Sequence, residues 1–382
     1  MEMDRLLISA DSHVMEPLDL WTRRMPDAMR SRGPRIEVRG NVQCLMVEDT
    51  VVRKFDRLGE SNADASGTDP LHAPETGERS KNFSMGASDP ERRLRDLDTD
   101  GVWGEVIYPN LAFFCCFMIK SPEVQVATAR VYNDWVAERF IGASERFAPV
   151  ALLPVLDVEA AVVELERTAR RGFRAMMMPT HIDVRPYNDP AYEPVWSAAE
   201  ALRMPLTFHA GTGRSQTPAH GAGGAVINYV VTVGAPMETV AYLCGAGILE
   251  RHPNLRVVMV ECGSGWLAWA MHAMDDAYRE HHEWVRPKLK LLPSEYFRRQ
   301  GAVTFQYDPV GLANIPFTGE RCLMWGSDYP HPEGTWPNSR KILERQMAGI
   351  AEATIRKVVR DNAAELYRFT PPDDLLRASE LG

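Results

Sequence analysis

No Cys-x-x-Cys pair occurs among the six cysteines, Cys44, Cys115, Cys116, Cys244, Cys262 and Cys322. A zinc knuckle is therefore not encoded, and the cysteines read as reduced core thiols of a cytoplasmic protein. There is no basic run either, and the formal net charge is -9. That balance gives no electrostatic footprint for a nucleic-acid partner. No apolar run approaches membrane-spanning length, so no membrane partner is expected. Met1-Glu2-Met3-Asp4 lacks the charged and apolar regions of a secretory signal, which again points to the cytoplasm. Finally, no glycine-rich phosphate loop follows the first apolar stretch, where an open nucleotide-binding sheet would carry one.

What is there is the make-up of an ordinary globular protein: 45% hydrophobic and 25% charged residues over 382 positions. The length suits one barrel domain spanning residues 1–382, with insertions. The organising stretch is Leu6-Leu7-Ile8-Ser9-Ala10-Asp11-Ser12-His13-Val14. Read as a strand, it puts Leu6, Ile8, Ala10 and Val14 on one face and Ser9, Asp11 and His13 on the other. A carboxylate and an imidazole two residues apart can then converge on one point.

Residues 22 to about 100 show no regular repeat and read as a loop-rich insertion. Within it, 61–77 is rich in small and polar residues and forms a long loop, either a cover over a pocket or a surface excursion. Ser88-Asp89-Pro90-Glu91 is a helix start, with a cap residue, a proline and an acid in the first turn. A rhythm follows. Strands are expected over 102–109, 147–154, 173–179, 205–209, 255–262, 303–307 and 322–325. Helices are expected over 92–99, 122–142, 158–171, 190–203, 234–250, 266–284, 338–346 and 351–366. With the first strand this makes eight strands separated mostly by helices. Alternation of that kind predicts a parallel sheet with right-handed crossovers, and eight units predict a closed (β/α)8 barrel of TIM type with an insertion after the first strand. An open doubly wound sheet is the alternative.

Chemistry on such barrels sits where the strands end. The fifth strand ends in Thr207-Phe208-His209, the sixth in Val260-Glu261, and the eighth runs into Gly326-Ser327-Asp328-Tyr329-Pro330-His331. Desolvated charges are costly unless paired or bound to metal, so acids and imidazoles gathered at one mouth point to a cation. Asp11, His13, His209 and Asp328 supply two imidazoles and two carboxylates, a set that suits Zn²⁺, Mn²⁺ or Fe²⁺. Such an ion would lower the pKa of a bound water or polarise a substrate oxygen.

These same residues resemble a known family. The Asp-x-His strand, Phe208-His209-Ala210-Gly211 and Gly326-Ser327-Asp328-Tyr329-Pro330 look like the amidohydrolase superfamily, and within it amidohydrolase family 2, related to aminocarboxymuconate-semialdehyde decarboxylase. Asp89-Pro90-Glu91-Arg92-Arg93-Leu94 and Arg146-Phe147-Ala148-Pro149-Val150 extend the resemblance over most of the chain. It implies a distorted (β/α)8 barrel, one divalent metal, and hydrolysis or non-oxidative decarboxylation of a small carboxylated molecule. The sequence departs from the decarboxylase pattern twice. Asp11 stands where those enzymes usually have His or Glu, and Glu261 stands where they usually carry a His that acts as acid or base.

In the first reading, Asp11, His13, His209 and Asp328 hold the ion, zinc if there is only one. Asp328 or Glu261 moves the proton, and His331 orients or assists. Adding Glu261 and His331 as ligands gives three carboxylates and three imidazoles, enough for two ions bridged by a carboxylate. The resemblance to dinuclear iron or manganese oxygenases makes that the second reading, with His331 bonded only to Asp328 as its alternative. The third is a non-catalytic metal-binding subunit that supports an active paralogue. The expected partners are a small-molecule substrate and either a second copy, as a homodimer, or a paralogous subunit. Arg214 and His220, after the fifth strand, either meet an anionic substrate or lie in a plain surface loop. Trp266 and Trp336 either wall the mouth or pack in the core. His272, His281 and His282 are expected to face solvent, and the 18 methionines are read as adaptable filler.

Overall fold

The computed structural model describes residues 6–40, 42–55, 86–182, 184–212, 221–373 and 375. Its strands are β1 Leu7–His13, β2 Arg35–Arg39, β3 Val42–Val47, β4 Thr50–Phe55, β5 Val102–Tyr108, β6 Phe147–Leu152, β7 Ala175–Pro179, β8 Leu206–His209, β9 Val257–Val260, β10 Gly301–Phe305 and β11 Leu323–Trp325. Eight of them form one parallel sheet in the order β1-β5-β6-β7-β8-β9-β10-β11. The sheet closes on itself just beyond β11. Ser12 and Tyr329 form a parallel bridge, the His13 amide donates to the Tyr329 carbonyl at 2.6 Å, and the Asp328 amide donates to the Asp11 carbonyl at 2.9 Å. With helices between the strands, this is a (β/α)8 barrel.

Strands of such a barrel are covered on both faces and read as continuous apolar runs. Val257-Val258-Met259-Val260 and Ala175-Met176-Met177-Met178 are of this kind, and all eight residues are fully buried. The helices begin and end on local signals. Asp89 accepts a bond from the Arg92 amide at 2.9 Å, proline follows it, and Gly101 stops Pro90–Asp100 in the left-handed conformation at φ 69°. Asp157 caps Val158–Arg170 in the same way through the Ala160 amide.

Several helices differ from expectation. The helix expected over 234–250 breaks into Gly234–Gly245 and Ile248–Arg251, because Gly247 takes φ 70°. The one expected over 351–366 is interrupted by a π-type turn at Lys357–Asp361. Leu111–Met118, Gly224–Val231 and Pro293–Gln300 are additional helices. In the segment expected to be loop-rich, β2, β3 and β4 form a three-stranded antiparallel sheet. The stretch 61–77 lies outside the described residues.

One expectation is corrected. The helical segment Gly224–Gly245, 22 residues long, does reach the length and composition of a membrane span. Asn228, Thr232 and the glycines interrupt it as a purely apolar run, which hid it in the sequence. Its second half packs on the barrel through Ala235, Val240, Leu243 and Cys244, while Val226, Tyr229 and Val230 of the first half are exposed. The six cysteines are buried and unpaired, and burial pushes the thiols of Cys116, Cys244 and Cys262 upward.

Candidate metal centre

Asp11 and His13 arrive on β1. Its pairing with β5 shifts register between Ser9 and Ser12, and both side chains turn into the barrel mouth. The Pro109 carbonyl lies 2.7 Å from His13 Nδ1. A carbonyl can only accept, so Nδ1 carries a proton and Nε2 is directed inward. At the end of β8, His209 is held the same way, with Nδ1 3.0 Å from the Ala210 carbonyl. His13 Nε2 then lies 3.3 Å from Asp328 Oδ1, 3.5 Å from Glu261 Oε2 and 3.7 Å from Asp11 Oδ1. His209 Nε2 lies 3.2 Å from Glu261 Oε2 and 3.8 Å from Asp11 Oδ1.

Asp328 and Glu261 follow β11 and β9 in the left-handed backbone region, at φ 56° and 53°. Non-glycine residues seldom adopt it, and where they do the surroundings must hold them there. Asp328 is held by its amide bond to the Asp11 carbonyl. The approach is tight enough that a Cβ on Gly326 would stand 2.5 Å from the Asp11 Cβ, so glycine is required there. Glu261 is held by its amide, bonded to Thr304 Oγ1 at 2.8 Å. The turn after it is fixed by the Asp308 carboxylate, which accepts from the amides of Ser264 and Gly265 at 2.6 and 2.8 Å. His331 donates or shares a proton through Nδ1 with Asp328 Oδ1 at 2.8 Å. Its ring stacks on His13 at 4.2 Å, and its Nε2 faces Asn110 Oδ1 at 3.4 Å.

The six residues named from the sequence therefore meet. Their ligand atoms form two overlapping groups, each within 4.8 Å: Asp11, His13, His209 and Glu261, and His13, Glu261, Asp328 and His331. Both Asp11 oxygens, His13 Nε2, His209 Nε2 and Asp328 Oδ2 are buried without a hydrogen-bond partner. Buried polar atoms are rarely left so, and separations of 3.2–3.8 Å are long for charge-assisted hydrogen bonds. They suit neighbouring donors around one cation. Imidazole nitrogen and carboxylate oxygen are the right donors for zinc, manganese or iron, so the residues present fit a divalent ion.

The ionisation directions follow the same crowding. Burial disfavours charge on His13, but Asp328 and Glu261 outweigh it and raise its pKa well above the usual value. Burial and the neighbouring Asp328 push Glu261 up. Burial works against ionised Asp328 too, yet His331 and His13 hold it well below the ordinary carboxylate range. His331 is raised because Asp328 overcomes its burial.

Other candidates fall elsewhere. Arg214 and His220 lie outside the described residues. Trp336 bonds the Asp96 carbonyl and packs on Tyr329, while Trp266 bonds the Cys262 carbonyl. His272, His281 and His282 are exposed. Residues that the sequence did not single out also shape the site. Tyr108 and Phe113 set their rings 5.4 and 5.1 Å from His209. Asn110 faces His331, and Thr304 holds Glu261. Asn110 could have been found, because it lies two residues past the end of β5; Thr304 lies inside β10 and gives no such signal.

Comparison with known proteins identifies the family and the fold. A family model described as Amidohydrolase matches residues 86–369. A gamma-resorcylate decarboxylase from Rhodococcus jostii is 25% identical over 334 residues, covering 78% of this chain and 95% of the relative. The crystal structure of an amidohydrolase from Mycobacterium avium subsp. paratuberculosis superposes with a TM-score of 0.75 at 21% identity, over 95% of this chain and 99% of its own. That of a dihydroxybenzoic acid decarboxylase from Polaromonas sp., with bound manganese and the inhibitor 2-nitroresorcinol, gives 0.63 at 19% identity, over 97% of this chain and 99% of its own. The two structural likenesses establish the barrel fold.

Proposed function

Because the chain belongs to the amidohydrolase family, we propose that it is a metal-dependent enzyme that removes a carboxylate, without an oxidant, from a small hydroxylated aromatic acid. The observation that carries this reading is five buried, unpartnered donor atoms from Asp11, His13, His209 and Asp328, lying in two overlapping groups that share His13 and Glu261. The decarboxylases among the relatives supply the reaction class, and they favour decarboxylation over hydrolysis, oxygenation or a non-catalytic role. The bound manganese in the Polaromonas enzyme makes Mn²⁺ the first ion to test, with zinc and iron as the other ions this donor set accepts.

In this reading Asp11, His13, His209 and Asp328 hold the ion. When bound, it supplies a Lewis acid for a substrate oxygen. The reaction exchanges one bond for another: the bond from ring carbon to carboxyl carbon breaks, CO₂ leaves, and the electron pair stays on the ring carbon, which takes up a proton. Glu261 is the residue we assign to that proton. Its side chain is 27% exposed, whereas those of Asp11, His13 and Asp328 are fully buried, so it faces the open side where a substrate enters. Asp328 is tied to His331 and stays ionised as a ligand. His331, stacked on His13 and bonded to Asp328, keeps both in orientation.

A second ion is a distinct reading, favoured by the second group of four donors, which adds Asp328 and His331 to His13 and Glu261. Metal analysis after Mn²⁺ loading separates the two: one ion per chain supports the first reading, and two ions support the second. The function itself is tested by incubating the Mn²⁺-loaded protein with a panel of hydroxybenzoates, with and without oxygen. The expected result is CO₂ and the corresponding phenol at the same rate in both atmospheres. Absence of CO₂ release across the panel overturns the proposal.

A further inference from the structure

Behind the metal centre lies a buried ion pair that none of the chemistry above uses. Arg93, on the helix Pro90–Asp100, and Glu105, in the middle of β5, are both fully buried. All five N–H groups of the guanidinium are engaged. Nε bonds Glu105 Oε1. Nη2 bonds Glu105 Oε2 at 3.1 Å and Ser12 Oγ at 3.0 Å, and Nη1 bonds the carbonyls of His13 at 2.8 Å and Ala87 at 2.9 Å. The guanidinium carbon also stands 4.9 Å from the centre of the Tyr329 ring. Three residues along the same helix, Asp96 accepts the Tyr329 hydroxyl at 2.6 Å.

Burying such a pair is a poor way to stabilise a fold, since desolvation offsets most of the attraction. What the pair touches explains its presence better. Ser12 and His13 end the first strand, and Tyr329 directly follows Asp328. These are the residues across which the barrel closes, through the bond from the His13 amide to the Tyr329 carbonyl at 2.6 Å. Arg93 thus grips both sides of the seam that brings His13 Nε2 to 3.3 Å from Asp328 Oδ1. A lysine could not do this, because it lacks the flat fork of five donors and the face that lies on an aromatic ring.

We propose that Arg93, neutralised by Glu105, is the positioning residue that sets the spacing between the His13 and Asp328 ligand atoms and thereby the affinity of the centre for its ion. This rests on the metal-centre reading above. It concerns metal affinity and geometry, with turnover as a consequence.

The test is Mn²⁺ titration of the full chain, followed by calorimetry and by the electron paramagnetic resonance spectrum of the bound ion. Three proteins are compared: the unaltered chain, Arg93→Lys, and the double substitution Arg93→Met with Glu105→Leu, which removes both charges together and leaves neither stranded. Circular dichroism and thermal melting report whether each is folded. Asp98→Asn, which breaks the surface pair with Arg146, serves as a control for general destabilisation. The expected result is a tenfold to hundredfold loss of Mn²⁺ affinity in both Arg93 variants, the range found when outer partners of metal ligands are removed. It is accompanied by a broadened spectrum, with no change of either kind in Asp98→Asn. Affinity within twofold of the unaltered chain in a folded Arg93 variant overturns the inference while leaving the metal centre standing. Failure of the unaltered chain to bind Mn²⁺, Zn²⁺ or Fe²⁺ overturns the metal-centre reading, and this inference with it. If neither Arg93 variant folds, Ser12→Ala carries the test, since it removes one bond to Nη2. A threefold or greater loss supports the proposal, and an unchanged affinity overturns it.

Discussion

The Asp328 amide donates to the Asp11 carbonyl at 2.9 Å, so two carboxylate-bearing residues from opposite ends of the chain are tied together through their backbones. Their side chains are then free to face a common point. Closure of the barrel and the approach of Asp328 to Asp11 and His13 are one structural event, because both depend on the residues just beyond β11 returning to β1.

That relationship makes Asp328→Asn a clean test of the centre. Asparagine tolerates the left-handed backbone that Asp328 adopts at φ 56°, and the amide bond to Asp11 does not involve the side chain. The variant should fold, with a melting temperature close to that of the unaltered chain. Its Mn²⁺ affinity and its turnover should each fall by more than the roughly 10–100-fold that outer partners carry. Calorimetric titration and CO₂ release measure the two. Near-normal turnover in this variant would remove Asp328 from the site.

Glu261→Gln separates the two accounts of Glu261. As the proton carrier, its loss should lower kcat by about 10²–10⁴, while one ion per chain is retained at nearly unchanged affinity. As a ligand to a second ion, its loss should lower the metal content from two to one. Metal analysis and steady-state kinetics on the same preparation distinguish these outcomes, and a variant with normal kcat and normal metal content excludes both roles.

How much of this was legible in the sequence depended on where the information sits. The barrel strands were legible because strands covered on both faces are apolar runs that end abruptly in polar residues, as Val257 to Glu261 does. The candidate ligands were legible for the same reason: Asp11, His13, His209 and Asp328 stand in or just after such runs. The small sheet of β2, β3 and β4 was not. Arg35, Glu37 and Arg39 alternate along a strand that is only half covered, so charge masked the apolar periodicity. Arg93, Asn110 and Thr304 were also missed. Each acts on a partner distant in sequence, and only the closed barrel brings them together. Glu105 did leave a sign, since a lone carboxylate inside Val102-Trp103-Gly104-Glu105-Val106 has to find a buried partner.

Removing the metal should cost stability as well as activity. An ion that binds only the folded chain stabilises it by about 2.7 kcal/mol at a free concentration of 100 times its Kd. Dialysis against a chelator should therefore lower the melting temperature, and Mn²⁺ should restore it in proportion to the logarithm of its concentration. The Asp328→Asn variant should show little of either response. A melting temperature of the unaltered chain that ignores both chelator and Mn²⁺ would argue against an ion among these side chains.

Gly326→Ala probes the seam with the smallest change available. The added Cβ would stand 2.5 Å from the Asp11 Cβ and 3.0 Å from the Asp11 nitrogen. Neither is the end of a flexible side chain, so β1 and the segment carrying Asp328 must move apart. Overpacking of this kind costs about 1–3 kcal/mol, which a chain of this size should survive as a folded protein. The displacement falls on the backbone that spaces Asp11 and His13 from Asp328, so Mn²⁺ affinity should fall by a larger factor than the loss of stability alone predicts. Chemical denaturation of the metal-free protein gives the stability, and Mn²⁺ titration gives the affinity. Equal losses in the two would mean that the seam supports the fold without tuning the centre.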